Sequence, residues 1–198
     1  MQFAMSPDQL QFPVAYYKGE AYFFAPSNRY SPSYFGGPSD VVIAGPRHGP
    51  ARLHHVLTLR GAVIPALGDF YVFSIPLFYG LRYDGCILTY RMPERSACEI
   101  CELEPRRSSN DFPYSDYPAL LPYVPMRLVR RTRCTPRRFA TFSWQGLNIN
   151  AKSMVVIVPP IFTAGVSMWG PTGEAEGVQI IFDCDFETKT IRASNQCT

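Results

Sequence analysis

The chain has 198 residues, 46% apolar and 18% charged, with a net charge of +3. That length supports one sizeable core, and the balance excludes a disordered chain and gives no general cause to expect nucleic acid or membrane as partner. The 19 prolines and 14 glycines cut the chain into short pieces, and 14 Phe with 12 Tyr favour strands and ordered loops over long helices.

Ser6-Pro7-Asp8-Gln9 has the form of a helix-capping box, and Pro13 limits it to a short helical turn. Val14 to Phe24 predicts two short strands around Lys18-Gly19-Glu20. A proline- and glycine-broken loop follows over residues 25–40, with Tyr30, Tyr34 and Phe35 available to pin it. Val41 to Ala44 reads as a short strand. Leu53 to Leu59 alternates at strand period and carries His54 and His55.

Gly68 to Met92 reads as the central hairpin: a strand apolar on both faces, a turn at Asp84-Gly85, and a second strand with Cys86, Leu88, Tyr90 and Met92 on one face. Pro76 removes a ladder donor, which puts the first strand at a bulge or an edge. Glu94 to Glu104 fits neither a helix nor a strand face. A second proline-rich loop covers residues 105–125, and a strand broken at Pro136 lies within Arg127 to Phe142. Met154 to Val158 is a short buried strand. Val178, Ile180, Phe182, Cys184 and Phe186 share one face of an amphipathic strand on which only Ile181 breaks the pattern. Thr190 to Ala193 pairs back as a final hairpin. The expectation is one compact, mostly β domain over residues 1–198, of short antiparallel strands with long loops and little helix.

The start has no cationic and apolar leader pattern, and no apolar run approaches the ~18 residues of a membrane span. Six cysteines in such a chain read as thiols, which points to the cytoplasm. Cys98-x-x-Cys101 lacks both the strand–helix setting of a redox pair and the second ligand pair of a zinc site. No nucleophile elbow, zinc-binding helix, Walker loop or dinucleotide fingerprint is present, so no cofactor or metal is expected. Gly36-Gly37 reads as a plain turn rather than an anion site. Asp183 and Asp185 read as solvated.

Charge is segregated along the chain. Residues 117–172 hold six Arg, one Lys and no acid, whereas residues 94–116 hold six acids against three Arg and residues 174–187 hold five acids and no base. All six Arg lie between Arg127 and Arg138, and arginine suits bidentate contact with carboxylate or phosphate.

Phe35-Gly36-Gly37-Pro38, the strand-rich centre Leu67 to Tyr90, Met168-Trp169-Gly170 and the strand Val178 to Phe182 resemble the YwqG-like family of uncharacterised bacterial proteins. The resemblance implies a β-rich α+β fold and supplies no catalytic residues. The functional expectation is a non-enzymatic interaction protein, such as a bacterial immunity or adaptor protein, that occludes a partner bearing an acidic patch. Tyr30, Tyr34, Phe35, Tyr114, Tyr117 and Trp144 are the aromatic anchors, because Tyr, Trp and Arg dominate hot spots, and Arg130, Arg131 and Arg133 meet the patch. Two alternatives stand beside it. One is a small hydrolase or transferase centred on His54 or His55. The other is nucleic-acid binding through the arginines, with aromatic rings stacking on bases.

Overall fold

The computed structural model describes residues 7–44, 53–61, 64, 74–81, 85–94, 96–106, 118–150, 152–160 and 178–197. Twelve strands form one sheet: β1 (Val14–Tyr17), β2 (Glu20–Pro26), β3 (Ser33–Phe35), β4 (Val42–Ala44), β5 (His54–Arg60), β6 (Ser74–Tyr79), β7 (Gly85–Glu94), β8 (Ala97–Arg106), β9 (Val124–Arg133), β10 (Ser153–Val158), β11 (Val178–Asp185) and β12 (Thr190–Cys197). Their order is β4-β8-β7-β12-β11-β10-β1-β2-β9-β3-β5-β6. Every neighbouring pair is antiparallel except β4 with β8, which is parallel. The mostly β reading of the sequence therefore holds.

Local chemistry sets the hairpins. Lys18 and Gly19 both take positive φ, the backbone of a type I′ turn, whose twist matches that of the flanking strands β1 and β2. Lys189, also at positive φ, helps turn β11 into β12. Pro7–Gln9 is a single 3-10 turn, as the helix signal before Pro13 predicts.

The sheet curls until its last strand folds back against strands near the other end. Its last strand, β6, touches β12 and lies against β7, although it pairs with neither. Two tyrosines make the crossing. Tyr79 Oη donates to the Cys86 carbonyl (3.1 Å) and accepts from the Cys86 N–H (3.0 Å). Tyr90 Oη accepts from Phe78 N–H (3.1 Å) and donates to the Pro76 carbonyl (3.3 Å). The inner face is one continuous apolar core that includes Tyr22, Phe24, Phe35, Leu57, Tyr79, Tyr90, Val156 and Phe182.

This arrangement corrects the central hairpin. The strands at 74–79 and 85–94 are close in sequence but lie far apart in the sheet order, the first at its end and the second third from the other end; the first pairs with β5, the second with β8 and β12. Residues 68–73 and Asp84 lie outside the described residues. The strand is apolar on both faces because one face meets the interior and the other is enclosed near the junction, not because it fills the middle of a sheet. Pro76 sits on the terminal strand, opposite Thr58, where a missing N–H costs least.

Glu94 to Glu104 resolves into the end of β7 and β8. Cys98 is buried and Cys101 exposed, as strand alternation over three residues dictates, so the two thiols cannot act together. Ile181 breaks the β11 pattern because the outer face is also covered. A five-residue helix, α1 (Pro136–Ala140), and the chain beyond it lay Phe139, Phe142, Leu147 and Ile149 over Tyr16, Phe23, Val155 and Ile181. Thr135 caps α1, accepting from Arg138 N–H (3.3 Å), with Pro136 in its first turn. Gln179, fully buried on the same outer side, donates to the Phe142 carbonyl at 3.0 Å. Asp183 is not simply solvated: burial raises its carboxyl pKa, and its Oδ1 has no hydrogen-bond partner among the described residues.

Candidate functional site

Two loop segments meet at the end of β3. Phe35 pairs with Val124 across the β3–β9 ladder, and the chain then turns sharply at Gly36 and Gly37, both at positive φ. The segment 118–123 crosses directly over this turn. Gly37 N–H donates to the Leu121 carbonyl (2.8 Å), and Gly36 N–H donates to the Val56 carbonyl (2.9 Å). Both N–H groups are thus spent on the backbone, which leaves no anion-binding nest. A Cβ on Gly36 would lie 2.2 Å from the Pro122 carbonyl oxygen, and one on Gly37 would lie 2.9 Å from the Tyr123 ring. Glycine is required at Gly36 by both conformation and space.

The two histidines secure the same junction. His54 Nε2 donates to the Pro118 carbonyl at 2.9 Å. His55 Nδ1 donates to the Gly36 carbonyl at 2.9 Å, and its Nε2 accepts from the Thr58 hydroxyl at 2.7 Å. That pattern requires neutral imidazole. Burial pushes the His55 pKa below its ordinary 6.5, and the Gly36 and Gly37 carbonyls offset part of the shift. Below pH 6.5 the unfolded chain takes up a proton that the folded ring resists, so the unfolded state binds more protons and stability falls with acidity. The contribution is whole above 6.5 and is lost downward toward the folded value. Urea melts of wild type between pH 7 and 5 are expected to show a steeper loss of stability than those of His55→Gln. Parallel pH profiles would contradict the assignment.

Outward from this junction stands a tyrosine cluster. Tyr34 packs on Tyr123 with centroids 5.1 Å apart and on His55 at 5.3 Å. The ring contacts continue inward from His55 to Phe78 (5.6 Å) and from Phe78 to the buried Tyr90 (5.9 Å). Burial, then the nearby phenols of Tyr30 and Tyr34, raise the Tyr123 pKa. Tyr30 is 85% exposed, Leu120 57% and Tyr123 46%. Exposed apolar side chains of this size, grouped and rigidly backed, mark interaction surfaces. Beside them Pro26, Ser27, Asn28, Arg29 and Arg127 line a surface groove.

The residues named from sequence distribute as follows. Tyr30 and Tyr34 belong to the cluster. Phe35 is 1% exposed, so it supports the platform from the core and cannot touch a partner. Trp144 is half-buried on the outer side of the sheet, in the segment held by Gln179 and Gln196. Tyr114 and Tyr117 lie outside the described residues. Leu120 and Tyr123 escaped the sequence reading because both sit in a proline-rich stretch taken as a loop. The local signal was Pro122-Tyr123-Val124-Pro125, an apolar pair held extended between prolines.

The arginines do not form one patch. Strand β9 alternates them between faces, and a register shift opposite Phe23/Phe24 further separates them. Arg130 lies over the Phe23 ring at 4.6 Å. Arg131, opposite Tyr22, donates through Nε to Glu20 Oε2 at 3.0 Å and is 5.6 Å from the Tyr22 ring. Tyr22 donates to the same oxygen (2.9 Å), and burial followed by Glu20 pushes its phenol up to about 12. Arg133 is exposed at the strand end. Arg131 is therefore already paired with the chain's own acid.

Four of the cysteines are held as thiols by burial. Burial raises the pKa of Cys86, Cys98, Cys134 and Cys184, Cys98 to about 12. No group of three or more metal-ligating side chains is found among the described residues, and no helix there is long and apolar enough to cross a membrane.

No protein-family model matches the chain, and neither the curated proteins nor the solved structures yield a significant match.

Proposed function

We propose that this protein is a recognition module that binds another protein through Tyr30, Tyr34, Leu120 and Tyr123, with Arg29 and Arg127 meeting an acidic patch at the rim. The observation that carries the reading is the exposed tyrosine cluster seated on the Gly36–Gly37 junction. Its backing removes the ordering cost that a mobile loop would bear on binding, which is how rigid aromatic paratopes gain affinity. Among the described residues neither rim arginine has a salt-bridge partner, which favours their use in meeting a partner's acids. The neighbouring His55 is engaged in holding the platform together, which favours recognition over chemistry at this place.

The test is affinity capture from the native host with wild type and with the Tyr30→Ala/Tyr123→Ala variant. The reading expects a stoichiometric protein held by wild type and bound at least about tenfold more weakly by the variant, at unchanged melting temperature. Equal retention by both would remove the cluster from the account. Loss of the captured material on nuclease treatment would favour nucleic acid instead.

A further inference from the structure

Where the two ends of the curled sheet come together they leave a polar cleft of about 410 Å³. One wall comes from β3, β5 and β6 through Tyr34, Thr58, Arg60 and Ser74. The other comes from the approach to β4 and the turn before β8, through Asp40 and Ser96. The two walls are tied to different strands: Val42 N–H donates to the Ser96 carbonyl (2.7 Å) on one side, and Thr58 bonds His55 on the other. The cleft is a seam, with no ladder across it between β4 and β6.

Its charges are the unusual feature. Arg60 Nε donates to the Pro32 carbonyl (3.1 Å), which fixes the guanidinium plane and leaves both terminal NH2 groups uncommitted. Arg60 and Asp40 line the same cleft, yet among the described residues they form no salt bridge with each other or with any other side chain. One unpaired cation and one unpaired anion therefore face one small volume, among hydroxyls that can donate or accept and beside the Tyr34 ring. A planar, oriented guanidinium suits a carboxylate, and a carboxylate suits an ammonium. A volume of this order lies in the range of small-molecule sites.

We infer that this cleft binds a small zwitterion, with its carboxylate on Arg60 and its ammonium on Asp40. The site is independent of the tyrosine surface except for Tyr34, and the test leaves Tyr34 intact.

Glycine, β-alanine, γ-aminobutyrate and glycylglycine span a series of charge separations and serve as probes. Each is titrated into 15N-labelled full-length protein. At least one is expected to give saturable shifts at Asp40, Arg60, Ser74 and Ser96 below about 20 mM. For that probe, Asp40→Asn and Arg60→Gln should each weaken binding about tenfold or more, and the probe's carboxamide should bind weakly and be indifferent to Arg60→Gln. Asp40 is exposed, so its variant folds whatever the outcome at Arg60. Absence of saturable shifts from all four probes would overturn the inference. So would binding that neither substitution alters.

Discussion

Gly36→Ala is expected to destabilise the protein by about 2–5 kcal/mol, a large part of the 5–15 kcal/mol of an ordinary domain. Two terms add. An L-residue at φ +61 costs roughly 1–2 kcal/mol for conformation alone. The new methyl would also stand 2.2 Å from the Pro122 oxygen and 2.9 Å from Leu121 Cβ, and overpacking of that kind costs about 1–3 kcal/mol. The obstruction is backbone, so it cannot rotate away. Relief requires lifting the 118–123 segment, which breaks the Gly37-to-Leu121 bond and unseats Tyr123. Gly19→Ala is the matched control: its φ is +81, but nothing lies within 4 Å of the added carbon. It should cost only about 1–2 kcal/mol. At roughly 2–4 °C per kcal/mol for a chain of this size, thermal melts separate the two variants. Equal losses would show that the segment does not cross so closely over the turn.

Removing the hydroxyls of Tyr79 and Tyr90 is the second large effect. Opposite Cys86 in the β7–β8 ladder stands Pro105, which has no N–H to give. The Tyr79 hydroxyl serves both the N–H and the carbonyl of Cys86 instead. Near the irregularity between His55 and Leu57 in the β5–β6 ladder, Phe78 N–H is taken by Tyr90. Both rings are fully buried, so no water replaces the lost partner, and each unsatisfied group costs about 1–3 kcal/mol. Tyr79→Phe and Tyr90→Phe should each lower stability by about that much in urea melts, and the double variant by about 3–5 kcal/mol. Because both hydroxyls hold the same crossing, their effects need not add. Values within about 0.5 kcal/mol of wild type would mean that β6 is held by its apolar contacts alone.

These two junctions also mark what the sequence can and cannot reveal. Alternation on β7, the turn at Lys18-Gly19, the edge position imposed by Pro76 and the final hairpin are local, and they were legible. The partner of β6 was not. A strand apolar on both faces fits a central hairpin and a terminal strand folded against the far end of its own sheet equally well; only long-range packing distinguishes them. Ile181 looked like an exception because the outer apolar layer comes from α1 and residues beyond it, some 40 residues upstream. The helix itself had left its signal in Thr135-Pro136, an N-cap followed by proline.

At the candidate site, aromatic content singled out Tyr30, which is exposed, and Tyr34, which is half-buried on β3 and packs against Tyr123. The same reasoning misplaced Phe35, because period-2 alternation in the three-residue strand β3 turns it inward with Ser33, on the face opposite the half-buried Tyr34. The density of arginines was misleading for a related reason. Six within twelve residues look like a patch, but a strand sends alternate side chains to opposite faces, and Glu20 on β2 claims Arg131.

The most direct test of the recognition surface is site-specific photo-crosslinking in the native host, with the crosslinker at position 30 and, as a control, at the exposed position 192 on β12. The account predicts one dominant adduct from position 30, abolished by Tyr123→Ala and absent from position 192. Adducts from position 192 with none from position 30 would contradict it and move the recognition surface to the other side of the sheet.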